Sequence, residues 1–280
     1  MGRLLAVPLL VLLFATPAAA WSFEVHRFIA DRAVSLLPPP LRPFFEAHRA
    51  AVVEHSIDPD LWRTAGFAEE DSNHHLSLDA YAGAPVPRDL KDALRQYGES
   101  TVRQRGTLPW RLAEMFNRLV MVFRTLGAGH DRIAIDAAPF LAAVIGHYIS
   151  DAHVPFHASV NSDGQLTGQA GIHGRFERDL FLRYRQRLVV KTGSLLPVGS
   201  PRDFAFEVLA SSGALAGPVL DADRRALAGR KAHDARYFDA FFPAVQSILE
   251  RRLSESIAAV ASLIVAAWEA AGRPALAAEP

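Results

Sequence analysis

His147, Asp151, His153 and His157 place three imidazoles and a carboxylate within eleven residues, at the end of an apolar run over 140–145. His147 and Asp151 are four apart, so on a helix both side chains leave the same face and can meet at one point. Pro155 ends or bends such a helix and can turn His157 back toward that point. A lone His-x3-Asp pair is most often an ordinary polar helix end, so its weight depends on its companions. His173 and Glu177 repeat the spacing where a Gly-rich loop gives way to a new helix. Upstream, Asp58, Asp60, His74 and His75 flank a short polar loop, and His26 stands five residues after Trp21. Imidazoles and carboxylates without a thiolate form a ligand set that suits zinc.

Apolar residues recur at three and four spacing from Trp21 onward, and few stretches alternate. The pattern predicts helices over 25–37, 40–54, 88–105, 109–126, 135–151, 173–190, 203–212 and 240–271, with loops over 161–171 and 195–202. The fold class expected is all-α, one large helical domain over 21–280 with its loops gathered around a site. No internal repeat and no biased linker divides it.

Half of the 280 residues are hydrophobic, enough for a sizeable core, and 30 Lys+Arg balance 30 Asp+Glu. A neutral chain has no global field for duplex nucleic acid, so any phosphate recognition must be local. Arg3, an apolar run over 4–15 and Pro17-Ala18-Ala19-Ala20 form the pattern of a secretory signal peptide over 1–20. The run is shorter than the roughly 20 residues a bilayer span needs, as is the apolar run over 257–268. The expectation is a secreted or periplasmic protein with no transmembrane segment after cleavage and no evident protein partner. It contains no cysteine, so its core, bound metals or both must hold it together. Cleavage before Trp21 would also create an α-amino group, with a free pKa of about 7.7–8.0, able to chelate an ion together with the Trp21 carbonyl.

These residues resemble the superfamily of zinc-dependent phospholipases C and P1/S1 nucleases. The resemblance rests on Trp21 with His26, on Asp60 with His74 in the run His-His-Leu-Ser-Leu-Asp-Ala-Tyr, on His147-x3-Asp151-x5-His157 and on His173-x3-Glu177. It implies three Zn²⁺ ions. Asp60, His74, His147 and Asp151 would hold one; His157, His173 and Glu177 a second; the Trp21 amine and carbonyl, His26 and a bridging Asp151 the third. Asp60 is preferred to Asp58, and His74 to His75, on the family's spacing. His48, His55, His130 and His233 lack partners at metal spacing and read as structural or surface residues. Arg175 and Arg178 read as helix-surface charge.

The activity implied is phosphodiester hydrolysis, with zinc lowering the pKa of an attacking water to around 7 and Asp60 orienting or deprotonating it. Glu24, three residues after Trp21, matches a choline-contacting position of the phospholipases, but Leu61 and Asp71 stand where aromatic partners would be expected. The Trp21–His26 spacing is nuclease-like, whereas Glu177 as last ligand is phospholipase-like. A nuclease would stack a base of single-stranded nucleic acid on Trp62 or Phe67. The reading favours a phospholipid head group as substrate over single-stranded nucleic acid. A third reading, from another class, is a secreted module in which closed zinc sites only stabilise the fold; open positions on the family's ions argue against it.

Overall fold

The computed structural model describes residues 21–276 apart from Ala68, His130 and Lys231. The expected signal peptide over 1–20 and His130 therefore lie outside the described residues. Among the described residues every regular element is helical, as the periodicity predicts.

The helix α8 (Arg132–Ala152) is the axis of the fold. Asp131 caps its start, Oδ1 accepting from Ile133 N at 2.9 Å and Ala134 N at 3.3 Å. Every residue from Leu141 to Ala152 is buried. A helix buried on all sides needs neighbours all round it. They are α1 (Phe23–Leu36), α3 (Arg49–His55), α7 (Leu108–Ala128), α11 (Pro201–Gly213) and α13 (Ala235–Ala270). Each fully buried aliphatic or aromatic side chain on this axis, such as Val144, Ile145 and Ile149, contributes about 1.5–3 kcal/mol. Gly146 lets α13 come close: a Cβ there would sit 3.2 Å from Val260 Cγ1. Apolar length alone does not decide where such helices go. The stretches Arg132–Ala152, Pro201–Leu227 and Ala235–Ala270 are long and apolar enough to cross a membrane, yet 72% of the α8 window is buried inside the bundle.

Several boundaries differ from expectation. The helix expected over 40–54 is split at His48 into α2 (Arg42–Ala47) and α3, and that over 88–105 at Gly98 into α5 (Leu90–Tyr97) and α6 (Glu99–Arg105). Gly98 has φ +79°, a left-handed value that breaks the helix. Two helices lay in stretches without a strong apolar pattern, α4 (Asp58–Thr64) and α12 (Ala216–Leu227). The apolar run over 257–268 is the end of the 36-residue α13, which starts at an Asp234 cap accepting from Tyr237 N at 2.9 Å. The helix expected over 173–190 is shorter and irregular: α9 (Ile172–Gly174), a π turn at Arg175–Asp179, then α10 (Leu180–Tyr184).

Candidate metal centre

The C-terminal turns of α8 carry His147 and Asp151 into the middle of the bundle, both fully buried. Helix α8 ends at Ala152, and a 3-10 turn at Pro155–Ala158 brings His157 back. The turn is tied to the segment after Asp71–His74: Leu76 N donates to His157 O at 2.9 Å, and His157 Nδ1 donates to His74 O. Asp79 holds the far end, accepting from Ser159 Oγ at 2.7 Å and Val160 N at 2.8 Å. From the opposite side α1 supplies His26, its ring stacked on His147 with centroids 3.9 Å apart. The Trp21 ring is buried beneath, Nε1 donating to Ser150 O at 2.8 Å.

Three groups of ligand atoms result, all buried. They are His26, His147 and Asp151; Asp60, His74 and His147; and His157, His173 and Glu177. Asp151 joins the first two: Oδ2 lies 2.9 Å from His74 Nδ1 and 3.3 Å from His147 Nε2, and Oδ1 lies 3.3 Å from His26 Nε2. The structure thus gathers His26, Asp60, His74, His147, Asp151, His157, His173 and Glu177. Asp58 is turned away and accepts from His55 Nδ1 at 2.8 Å, while Asp60 faces inward. His75 points to Gln104 O at 3.5 Å.

The residues fit bound cations. His147 Nδ1 donates to Ser56 O at 2.8 Å, so a neutral His147 ring presents its Nε2 lone pair, 3.1 Å from His74 Nδ1. His157, with Nδ1 spent on His74 O, likewise presents Nε2 to His173 Nε2 at 3.1 Å. Tetrahedral Zn–N bonds of about 2.0–2.1 Å set neighbouring nitrogens about 3.3 Å apart. Both nitrogens of His26, Asp60 Oδ2, Asp151 Oδ1 and Glu177 Oε2 are buried without a directed hydrogen bond. Such atoms are rare in folded proteins, and several converging on one place are what a cation satisfies.

The electrostatics agree. Burial pushes His26 and His157 below the usual imidazole range. Burial works against the Asp151 charge, but His147 and His157 outweigh it and hold that carboxyl well below its ordinary range. Burial raises Glu177 to about 7, only partly offset by His173. His147 and His173 are raised, because Asp151 and Glu177 respectively overcome their burial.

A family model described as zinc dependent phospholipase C matches residues 25–210. The chain belongs to the zinc-dependent phospholipase C family. Membership brings zinc as the metal and phosphodiester hydrolysis as the class of reaction. No curated protein matches the chain.

A cleft of about 660 Å³ opens over this zinc-dependent site, with His74, His157 and His173 at its floor and Arg63 and Arg105 among its walls. Arg63 Nη2 donates to Asp60 Oδ1 at 2.8 Å, and Arg105 lies over the Tyr81 ring at 4.5 Å. Trp62 is half-buried against Phe140 and, with the exposed Phe67, lines a separate recess beside Glu70 and Arg111. Glu24 is exposed on the first turn of α1 and does not line the cleft. His153 is buried and pushed down to about 3 by burial and by Arg252, its Nδ1 donating to Ile149 O at 2.8 Å.

Two features escaped the sequence reading. Glu70, four residues before His74, is buried with Oε1 3.6 Å from His74 Nε2, and it accepts from Tyr148 OH at 2.5 Å. The i,i+4 spacing was a signal for it. Arg175 is not surface charge: it is buried and bonded to Asp223. Nothing local to Arg175 pointed to that partner. Arg178 does lie at the surface, donating to Asp179 Oδ1 at 2.8 Å.

Proposed function

We propose that the protein is a secreted or periplasmic trinuclear zinc phosphodiesterase of phospholipase C type. The observation that carries the reading is the set of three buried ligand groups, two of them meeting at Asp151, beneath a cleft walled by two arginines. The Trp21 amine and carbonyl would complete the group of His26 and Asp151 once the leader is removed.

Bound zinc supplies Lewis acidity toward phosphoryl oxygens and a water acidic enough to ionise near neutral pH. The chain supplies the rest. Arg63 fixes Asp60 Oδ1 and so the plane of the carboxylate, whose Oδ2, buried without a hydrogen-bond partner, would help hold the ion and orient the attacking water beside it. Arg63 and Arg105 orient the phosphate and offset its charge. Water adds to phosphorus, the bond to the leaving oxygen breaks and that oxygen takes a proton, giving a phosphomonoester and an alcohol.

The phospholipid preference draws support from the cleft lining, where the phenylalanine, Phe156, is fully buried and offers no face to a base. The second reading, a P1/S1-like nuclease with 3′-nucleotidase activity, draws on the recess of Trp62 and Phe67, the latter 64% exposed. Zinc-loaded protein incubated with phosphatidylcholine is expected to release diacylglycerol and phosphocholine. Nucleotide release from single-stranded DNA without diacylglycerol would favour the nuclease instead.

A further inference from the structure

Beyond the metal centre, the segment that follows Glu177 has an unusual surface. Residues 182–191 read Leu-Arg-Tyr-Arg-Gln-Arg-Leu-Val-Val-Lys, four cations and no acid in a chain whose net charge is zero. Each arginine lies on an aromatic ring: Arg183 on Phe238 at 4.1 Å, Arg185 on Phe28 at 5.5 Å and Phe181 at 5.6 Å, Arg187 on Phe242 at 4.9 Å. Arg32 joins them from α1, over the same Phe28 ring at 5.3 Å. Two arginines nearby are paired with carboxylates, Arg27 with Glu54 and Arg178 with Asp179. Among the described residues, Arg32, Arg183, Arg185, Arg187 and Lys191 make no side-chain ion pair with any carboxylate. Two carboxylates lie against the segment, Asp239 accepting from Tyr184 OH at 3.1 Å and Glu250 from Val189 N at 2.9 Å, and leave its cations in excess.

Stacking on a ring holds a guanidinium in place without neutralising it. The segment is therefore a fixed positive surface. It also exposes aliphatic side chains, Leu182 at 51% and Val189 at 57%. Unpaired arginines beside exposed aliphatic groups are the composition that binds the boundary between anionic headgroups and acyl chains. A single-stranded nucleic acid would call for open aromatic faces, and here Phe181, Phe238 and Phe242 are buried with cations over them.

We infer that residues 182–191, with Arg32, form a docking platform for an anionic lipid bilayer. The guanidinium groups meet phosphate and carboxylate headgroups, and Leu182 and Val189 enter the interface. The platform is independent of which diester the metal centre hydrolyses.

The test is co-sedimentation of the zinc-loaded protein with vesicles of a phosphatidylcholine analogue whose headgroup linkage is a non-hydrolysable phosphonate, with and without about a quarter of the phosphatidylserine phosphonate. The comparison is with the triple variant R183Q/R185Q/R187Q. Both proteins begin at Trp21, so the apolar run over 4–15 takes no part in the binding. Binding is expected to favour the anionic vesicles and to weaken with salt, and the variant to lose on the order of a hundredfold, about fivefold per arginine. The charge-retaining R183K/R185K/R187K should bind within about threefold of the parent. Turnover of a soluble chromogenic diester reads the metal centre separately and should be equal in all three. If the triple glutamine variant does not fold, single substitutions at Arg183 and Arg185 should each lose about fivefold. Equal binding to neutral and anionic vesicles, unchanged binding by the glutamine variants, or displacement from vesicles by a single-stranded oligonucleotide would overturn the inference.

Discussion

Arg175 Nη2 lies 3.1 Å from Asp223 Oδ1 in the interior, joining the π turn that carries Glu177 to helix α12. The pair is fully furnished. Arg175 also donates to Ala170 O at 2.8 Å and Gln169 O at 3.0 Å, while Asp223 accepts from Gln169 Nε2 at 2.7 Å and from Tyr237 OH. The loop before His173 is thereby fixed to α12 and α13, which lie beyond the residues matched by the family. Asp163 adds a second tie, accepting from Gly171 N at 2.8 Å and His173 N at 3.2 Å.

Asp223→Ala leaves the Arg175 charge buried and unpaired, a change that costs about 3–5 kcal/mol. Urea unfolding should report that loss. The double substitution R175M/D223L should be less destabilised than D223A, because it removes both charges together. If D223A unfolds at the parent's midpoint, the pair contributes nothing to the fold.

Glu70→Gln should weaken zinc binding while the fold persists. The carboxylate lies behind His74, with Oε1 facing Nε2 and Nδ1 facing Asp151. At 3.6 Å the two do not yet share a hydrogen bond, but a carboxylate that closes on the ring N–H when the ring ligates would orient it, and removing such a partner typically lowers metal affinity about 10–100-fold. Competition against a chromophoric chelator reads the affinity, and circular dichroism checks the fold. Unchanged affinity would show that Glu70 serves only Tyr148 and Asn73.

Which parts of this site could be read from the chain follows from the range of the forces involved. His147 with Asp151, and His173 with Glu177, are one helical turn apart, so periodicity alone puts each pair on one face. The all-α class was legible for the same reason. Choosing Asp60 over Asp58 by spacing was different, since their orientations depend on α4, a seven-residue helix with little apolar pattern. Asp223 could not be found at all: it is 48 residues from Arg175, and only the packing of α12 brings them together. The Gly98 break was missed because a glycine inside a helical pattern is often tolerated, and only its positive φ shows that the chain turns there.

Asp151→Asn and His157→Ala should differ in how many ions they release. Asp151 touches His26, His74 and His147, so in the proposed three-ion site its loss should remove two ions. His157 faces only the His173 and Glu177 group at its Nε2, so its loss should remove one. Native mass spectrometry of dialysed protein counts the ions directly. Equal counts in the two variants would contradict a bridging role for Asp151.

Zinc affinity at the group of His157, His173 and Glu177 should depend on pH with a sign set by Glu177. Its folded pKa, about 7, lies above the ordinary 4.5, so the metal-free protein keeps a proton there that the unfolded chain has lost. That contribution to metal-free stability is fully present below about 4.5 and is lost as pH rises through about 7. Zinc must displace the same proton, so affinity should rise by up to about tenfold per pH unit below about 7 from this group and flatten above it. In E177Q the Glu177 component of that slope should disappear, leaving the part due to the histidines. Chelator competition across this range measures both. A parent and variant with the same slope would mean that Glu177 is already ionised in the metal-free protein.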